Sequence, residues 1–372
     1  MPTWRERMNR MVGPGVLGGI TAGDWLALLR ANGFRVSPAC LPRAVAITWQ
    51  ALLNSPARWL EDRKYGRQVD ATEVKPPLFV LGHFRSGTTL LHDLLAIDDR
   101  FACPNLYQVI YPHTFLTTEA MGSRMFRTFA PDHRPQDNMK LDPASAWEDE
   151  FAMCVWGFRS PYLAWPFATR RDFYDRYLTF VDATAEEVRG WREAMTAYLK
   201  KLSFKHGGKP LALKSPTHTA RIRLLLELFP GARFVHIHRN PYDVYRSCLH
   251  LYATVLPNVR LQRIDDIDWE ARILRQYNEM YDAFFEQREL IPPGCYHEVR
   301  FESLEKDPVG EMGRLYGALG LPDFGQAEPR LRTYVASIAD YRKNSYRELE
   351  GDVRRRVAAA WVRCFGEWGY PA

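Results

Sequence analysis

Leu78-Phe-Val-Leu-Gly-His-Phe-Arg-Ser-Gly-Thr-Thr89 decides the fold. Four consecutive apolar residues, Leu78–Leu81, are the pattern of a strand buried on both faces. A glycine-bearing turn follows at once, and Thr88–Ile97 then reads as a helix. Strand, tight turn and helix in that order form a nest of backbone N–H groups at the positive end of a helix dipole. Such a nest suits a phosphate.

The same alternation recurs further along. Pro210–Lys214, Arg233–His238 and Tyr296–Phe301 read as short buried strands, Pro210–Lys214 leading into a helix at Arg221–Phe229 and Arg233–His238 into one from Pro241. The fold class that follows is α/β: a P-loop-like three-layer fold with a central, mostly parallel sheet. A helical insertion of roughly residues 100–205 separates the first two strands. Its aromatic residues, among them Trp147, Trp156, Tyr162, Trp165 and Phe167, suit an acceptor pocket or a helical layer on the sheet.

Residues 1–72 are expected to form a helical N-terminal extension, with residues 73–372 the main domain. Trp49, Leu52, Leu53, Trp59 and Leu60 alternate there with Arg43, Arg58, Arg63, Lys64 and Arg67. Such a segment is either a lid docked on the chain's own core or a membrane-interface element.

Composition sets the outer limits. The chain has 372 residues, 46% of them hydrophobic and 25% charged, with a formal charge of +6. That balance fits an anionic ligand and gives no sign of a nucleic-acid partner. Six scattered cysteines, without Cys-x-x-Cys or zinc spacing, read as reduced thiols of a cytoplasmic protein that carries no metal.

Gly82 and Gly87 are spaced as in the P-loop pattern G-x4-G-K-[ST], but Thr88 stands where the lysine belongs. Arg85 supplies a cation inside the loop, and Ser86, Thr88 and Thr89 offer hydroxyl donors. The strand Arg233–His238 ends in Arg239 rather than in the carboxylate that helps to hold magnesium in nucleotide hydrolases. The pattern therefore favours direct binding of a second anionic group.

Arg85-Ser-Gly-Thr-Thr-Leu-Leu91 resembles the 5′-phosphosulfate loop of the sulfotransferases, and Arg239-Asn-Pro-Tyr-Asp-Val-Tyr-Arg-Ser247 resembles their 3′-phosphate segment. Leu213-Lys-Ser-Pro-Thr-His218, Phe301-Glu-Ser-Leu-Glu-Lys-Asp-Pro308 and Leu319-Gly-Leu-Pro322 are similar to further family segments, so that the likeness covers roughly residues 76–350. The resemblance implies a donor, 3′-phosphoadenosine 5′-phosphosulfate (PAPS), bound through Arg85, Ser86, Gly87, Thr88, Thr89, Arg239 and Ser247. It implies in-line transfer to a hydroxyl or amine, with Arg85 steadying the leaving phosphate, as in the tyrosylprotein-like branch. Tyr341-Arg-Lys-Asn-Ser-Tyr-Arg347 resembles the loop that closes over the cofactor, with Arg342 or Lys343 reaching the 3′-phosphate.

The proton acceptor is less determined. Cys103-Pro-Asn-Leu-Tyr-Gln-Val109 carries no carboxylate where relatives with arginine in the loop often have glutamate. His218 and Glu150 are the candidates. Glu148 has a competing structural explanation, because Ser145-Ala-Trp-Glu148 fits a capping box. Lys214 either touches the sulfuryl group or closes an ion pair.

The function expected is sulfuryl transfer to a small-molecule or lipid-like acceptor, with peripheral membrane contact through the N-terminal helices. A P-loop kinase or NTPase, and a non-catalytic nucleotide-binding peripheral protein, are the alternatives. Magnesium-free binding of 3′,5′-bisphosphoadenosine separates them.

Overall fold

A computed structural model describes residues 3–134, 136–137, 139–265, 267–339, 344 and 346–372. Four parallel strands make one sheet in the order β2-β1-β3-β4: β1 (Leu78–Leu81), β2 (Ala212–Lys214), β3 (Arg233–His238) and β4 (Tyr296–Arg300). The second strand begins two residues later than the sequence suggests, because Leu211 pairs with Ala102 in an isolated bridge outside the strand.

Alternate side chains of a strand point to opposite faces. Leu78, Val80, Val235, Ile237 and Val299 enter one face and pack with Leu91 and Leu94 of the helix Thr88–Ala96 and with Phe301 and Leu304. Phe79 and Phe234 go to the other face, their rings stacked at 5.6 Å. There His236 stacks at 4.3 Å on Phe284 of the helix Trp269–Gln287. Helices on both faces make three layers, which is why β1 at the centre is apolar throughout.

Topology then places the site. The chain leaves β1 for β2 on one side and crosses to β3 on the other, so the strand order reverses around β1. In register, Val80 pairs with both Lys214 and Val235, and Leu81 pairs with His236. The loops after β1, β2 and β3 therefore leave from the same end of the sheet, the crevice that open parallel sheets use for ligands.

The chain divides into two compact units: residues 1–74, 104–208 and 253–267 form one, and 75–103, 209–252 and 268–372 form the other. The sheet belongs to the second. The first is helical, with Trp4–Val12, Ala22–Ala31, Leu41–Asp70, Phe115–Phe129 and Ala185–Lys205 as its main elements. Thr3, Thr21 and Thr184 cap three of them, each accepting from a backbone N–H of the first turn.

A buried ion pair joins three of these helices. Lys201 Nζ lies 2.5 Å from Glu61 Oε1, and it also donates to the carbonyls of Pro112 and His113. Glu61 Oε2 accepts from both the N–H and the hydroxyl of Thr117 at 2.7 Å. Removing one partner would strand a buried charge, at a cost of about 3–5 kcal/mol. Tyr162, Trp165 and Phe167 are buried in this unit, with Tyr162 and Trp165 stacked at 4.5 Å, so these aromatics serve packing.

Candidate active site

The turn after β1 is held from every side. Gly82 has φ 142°, and an added Cβ there would press on the carbonyl of Ile237 and the Ser86 hydroxyl. Its N–H donates to Thr219 Oγ1 at 2.8 Å, and the N–H of His83 reaches Tyr281 Oη at 3.3 Å. Ser86 closes the turn by donating through both its N–H (3.1 Å) and its hydroxyl (2.8 Å) to the carbonyl of His83. The hydroxyl proton of Ser86 is thus directed into the loop, whereas the sequence had it facing an anion.

Arg85 (φ 69°) and Gly87 (φ 104°) both adopt left-handed backbone. For arginine that conformation costs about 1–3 kcal/mol and persists only where its surroundings impose it. Gly87 is the N-cap of the helix Thr88–Ala96 and offers no side-chain bond to its first-turn N–H groups. A Cβ at Gly87 would run into the ring of Phe301. Thr88 is buried and Thr89 half-buried at this helix start.

The turn after β3 stands beside it. Asn240 Oδ1 accepts from Tyr242 N–H at 3.0 Å and the Asn240 carbonyl from Asp243 N–H, so the expected cap forms before Pro241 opens the helix Pro241–Val259. Arg239 extends over the Phe301 ring, 4.3 Å from its centroid, and Nη1 donates to the carbonyl of Arg85 at 3.4 Å. Asp243 lies 3.8 Å from Arg239 but makes a short hydrogen bond with Arg246, so its charge is shared. Arg239 Nε, although buried, has no hydrogen-bond partner among the described residues.

Ser247 lies two turns along that helix, and spacing alone did not require it to meet the loop. It does: Arg85 Nε donates to Ser247 Oγ at 2.8 Å. Ser247 Oγ is also 3.2 Å from Tyr346 Oη, which accepts from Asn344 Nδ2 at 3.3 Å. The basic C-terminal stretch therefore reaches the site through Asn344 and Tyr346. Arg342 and Lys343 lie outside the described residues.

A second layer fixes these turns. Glu302 Oε1 accepts from the N–H of Asn240 at 3.1 Å, and Glu302 Oε2 accepts from Tyr370 Oη at 2.8 Å. Tyr370 Oη is also 3.1 Å from His238 Nδ1. Burial, with the nearby charge of His236, lowers His238 to about 4. Behind the first turn His83 is lowered to about 4 by burial, and it packs against Tyr277 and Tyr281. Both imidazoles are neutral at pH 7.

Lys214 and His218 belong to the neighbouring strand end. Lys214 is the last residue of β2, buried and level with Val80. His218 sits in the 3-10 turn Pro216–Ala220, fully buried, its ring edge-on to Phe79 at 5.2 Å. The adjacent Thr219 is the acceptor for Gly82 N–H, so this turn is fastened to the turn after β1.

Glu150 belongs to the helical unit. It is fully buried at the start of the helix Glu150–Val155. The capping box expected at Ser145–Glu148 does not form. Asp149 occupies the N-cap position, and Glu148 Oε2 instead accepts from Tyr162 Oη at 2.7 Å. Burial, reinforced by the charges of Glu148 and Glu150, drives the Tyr162 phenol far above its ordinary value.

Thr219, Tyr346, Phe301, Glu302 and Tyr370 were not anticipated as site residues. Phe301 and Glu302 open a segment already notable in the sequence. Nothing local marks Thr219 or Tyr370, whose partners are remote in the chain.

The family model described as the sulfotransferase family matches residues 76–325. The omega-hydroxy-beta-dihydromenaquinone-9 sulfotransferases Stf3 of Mycobacterium bovis and Mycobacterium tuberculosis are each 37% identical over 353 residues, spanning 95% of this chain and 90% of theirs. Sulfotransferase STF9 from Mycobacterium avium has a similar fold, with TM-score 0.68 and 19% identity over 94% of this chain and 96% of that one. Sulfotransferase STF1 from Mycobacterium tuberculosis H37Rv gives TM-score 0.65 and 17% identity over 92% and 90%.

Proposed function

The chain belongs to the sulfotransferase family, and from that premise we propose that it moves a sulfuryl group from PAPS to the hydroxyl of a polyisoprenoid-like lipid. The convergence of Arg85, Ser247 and Arg239 carries the donor reading. It brings two guanidinium groups and the start of a helix together at one sheet end, a donor set that suits an anion at each end of a nucleoside. The buried Nε of Arg239 adds a polar atom that an anionic group would satisfy.

In this reading Gly87, Thr88 and Thr89 hold the 5′-phosphate through backbone and hydroxyl donors, with Ser86 shaping their turn. Arg239 and Ser247 hold the 3′-phosphate, and Arg342 or Lys343 adds charge to it. PAPS, when bound, supplies the sulfuryl group, whose bond to the 5′-phosphate breaks as the acceptor oxygen bonds to sulfur. Arg85 stabilises the negative charge that develops on the leaving oxygen and never needs to lose a proton. Lys214 adds a second cation at the same strand ends.

We assign proton removal from the acceptor to His218, whose turn is fastened to the turn after β1 through Thr219. Glu150 is the competing carboxylate. Residues 73–372 form the catalytic domain in this scheme, and 1–72 its extension.

The acceptor class rests on likeness to proteins named for a hydroxylated menaquinone, at 37% identity over most of the chain. A cytoplasmic enzyme acting on such a lipid would meet it at a membrane, through the N-terminal helices. All six cysteines are free, as a reducing compartment requires.

The test is calorimetry followed by transfer. Bisphosphoadenosine should bind without magnesium and better than ATP with magnesium, and labelled sulfate should pass from PAPS to a hydroxylated polyisoprenoid quinone. Preference for magnesium ATP would sink the donor reading. Labelling of short alcohols alone would sink the acceptor class.

A further inference from the structure

The helix Leu41–Asp70 is amphipathic in the wrong direction for a helix that only serves a core. At about 100° per residue, its buried side chains Arg43, Ile47, Ala51 and Glu61 cluster on one side. Leu41, Val45, Trp49, Leu52, Leu53 and Trp59 lie on an arc of about 120° on the opposite side, and all are exposed. Trp49 is 66% exposed and Leu53 70%, values that soluble surfaces seldom give to a contiguous row of large apolar residues.

The same face turns basic toward its end. Arg63, Lys64 and Arg67 are exposed and continue the arc, and the Arg63 guanidinium lies 5.5 Å from the Trp59 ring centroid. Between Leu41 and Arg67 the only acids are Glu61, which is buried against Lys201, and Asp62, which projects off this arc beside Arg58.

The neighbouring helix Phe115–Phe129 repeats the feature. Met121, Met125 and Phe129, spaced four apart, form an exposed stripe. A groove of about 530 Å³ lies between the two helices, lined by Ala57, Leu60, Arg63, Lys64, Thr117 and Thr118. Aliphatic floor, cationic rim and hydroxyls together match the boundary between acyl chains and phosphates. Among the described residues no helix is long and apolar enough to cross a membrane.

We infer that this face of the helical unit docks on an anionic lipid bilayer, the tryptophans and leucines entering the interface while Arg63, Lys64 and Arg67 meet lipid phosphates. The inference rests on the lipid-acceptor reading above and deepens it: it names the surface that meets the membrane and the sign of the lipid. Charge complementarity selects this occupant. A second copy of the chain would bring the same three cations against each other.

The experiment is co-sedimentation of the full chain with vesicles of phosphatidylcholine, alone or mixed with phosphatidylglycerol. Binding should require phosphatidylglycerol and weaken with salt. Trp49→Ser with Leu53→Ser should lower it by roughly tenfold or more. Arg63→Gln, Lys64→Gln and Arg67→Gln together should lower it by roughly a hundredfold. Both variants should bind bisphosphoadenosine like the parent, which separates this proposal from the donor reading.

A parent chain that binds bisphosphoadenosine but neither vesicle would overturn the inference while leaving sulfuryl transfer intact. Equal binding to both vesicles would overturn it too. So would a dimer in sedimentation velocity that the Trp49→Ser, Leu53→Ser variant dissolves. Should that variant misfold, the charge variant decides alone.

Discussion

Arg85 Nε donates to Ser247 Oγ across 2.8 Å, although 162 positions separate the two residues. One comes from the turn after β1 and the other from the helix after β3, so neighbouring strands place a cation and a hydroxyl together. The carbonyl of Arg85 accepts from Arg239, which makes Arg85 the joint of both motifs. Substitutions at these residues should therefore separate binding from chemistry.

Arg85→Ala should lower turnover by roughly a hundredfold or more, because the developing charge loses its stabiliser. Arg85→Lys should recover part of it, keeping the charge but losing the planar fork that reaches Ser247. Steady-state transfer from PAPS reads this directly, and near-parental turnover in the alanine variant would remove Arg85 from the mechanism.

Arg239→Ala should act chiefly on affinity, weakening bisphosphoadenosine by about tenfold or more, since a charge-assisted bond contributes about 1.5–3 kcal/mol. Tyr370→Phe should give a smaller loss in the same direction. It deletes the hydroxyl that joins His238 to Glu302, and Glu302 in turn holds the N–H of Asn240. A raised KM for donor with kcat little changed is the expected split; an equal fall in both would point to general damage.

Gly87→Ala should cost both stability and donor binding. The residue has φ 104°, and a methyl group would meet the Phe301 ring. Thermal melting should show a loss of about 1–3 kcal/mol. Trimming the ring with Phe301→Ala should relieve the clash but not the backbone strain.

His218→Asn should abolish most turnover while sparing bisphosphoadenosine affinity if His218 takes the proton. Glu150→Gln should then remain active. The reverse pattern, read from kcat at saturating donor, would transfer the role to Glu150.

Acid should weaken the fold through its buried imidazoles. His83 and His238 are each lowered to about 4, chiefly by burial, against 6.5 as the starting value. Between those values the unfolded chain binds more protons than the folded one, so their stabilisation is complete above pH 6.5 and is lost as pH falls toward 4. For His83 the loss is on the order of 3 kcal/mol. Melting temperature should drop between pH 7.5 and 5, and less so in His83→Asn.

The sheet was legible because β1 is a short apolar run closed by a glycine turn, and burial on both faces demands that pattern. Gly82, Arg85 and Gly87 were legible for a related reason: a nest needs particular residues at particular spacing. Ser145–Glu148 misled because a capping box is a local rule, and here Tyr162, fourteen residues on from Glu148, claimed that carboxylate. Thr219 and Tyr370 were silent because a threonine or tyrosine bonding a partner over a hundred residues away leaves no periodic mark. The outward apolar face of Leu41–Asp70 was visible as composition, but only the fold showed which side looked out.

Phe301 has a consequence for selectivity. One ring lies beneath the Arg239 guanidinium and against Gly87, which in the proposed reading makes it the spacer between the two anion seats. A rigid aromatic spacer works as a gauge, setting the distance that a ligand's negative ends must span. A nucleotide with one anionic end can fill only half of that span, whereas one phosphorylated at both ends of its ribose engages both. Discrimination between donors would then reside in a hydrocarbon ring that need not touch the ligand at all.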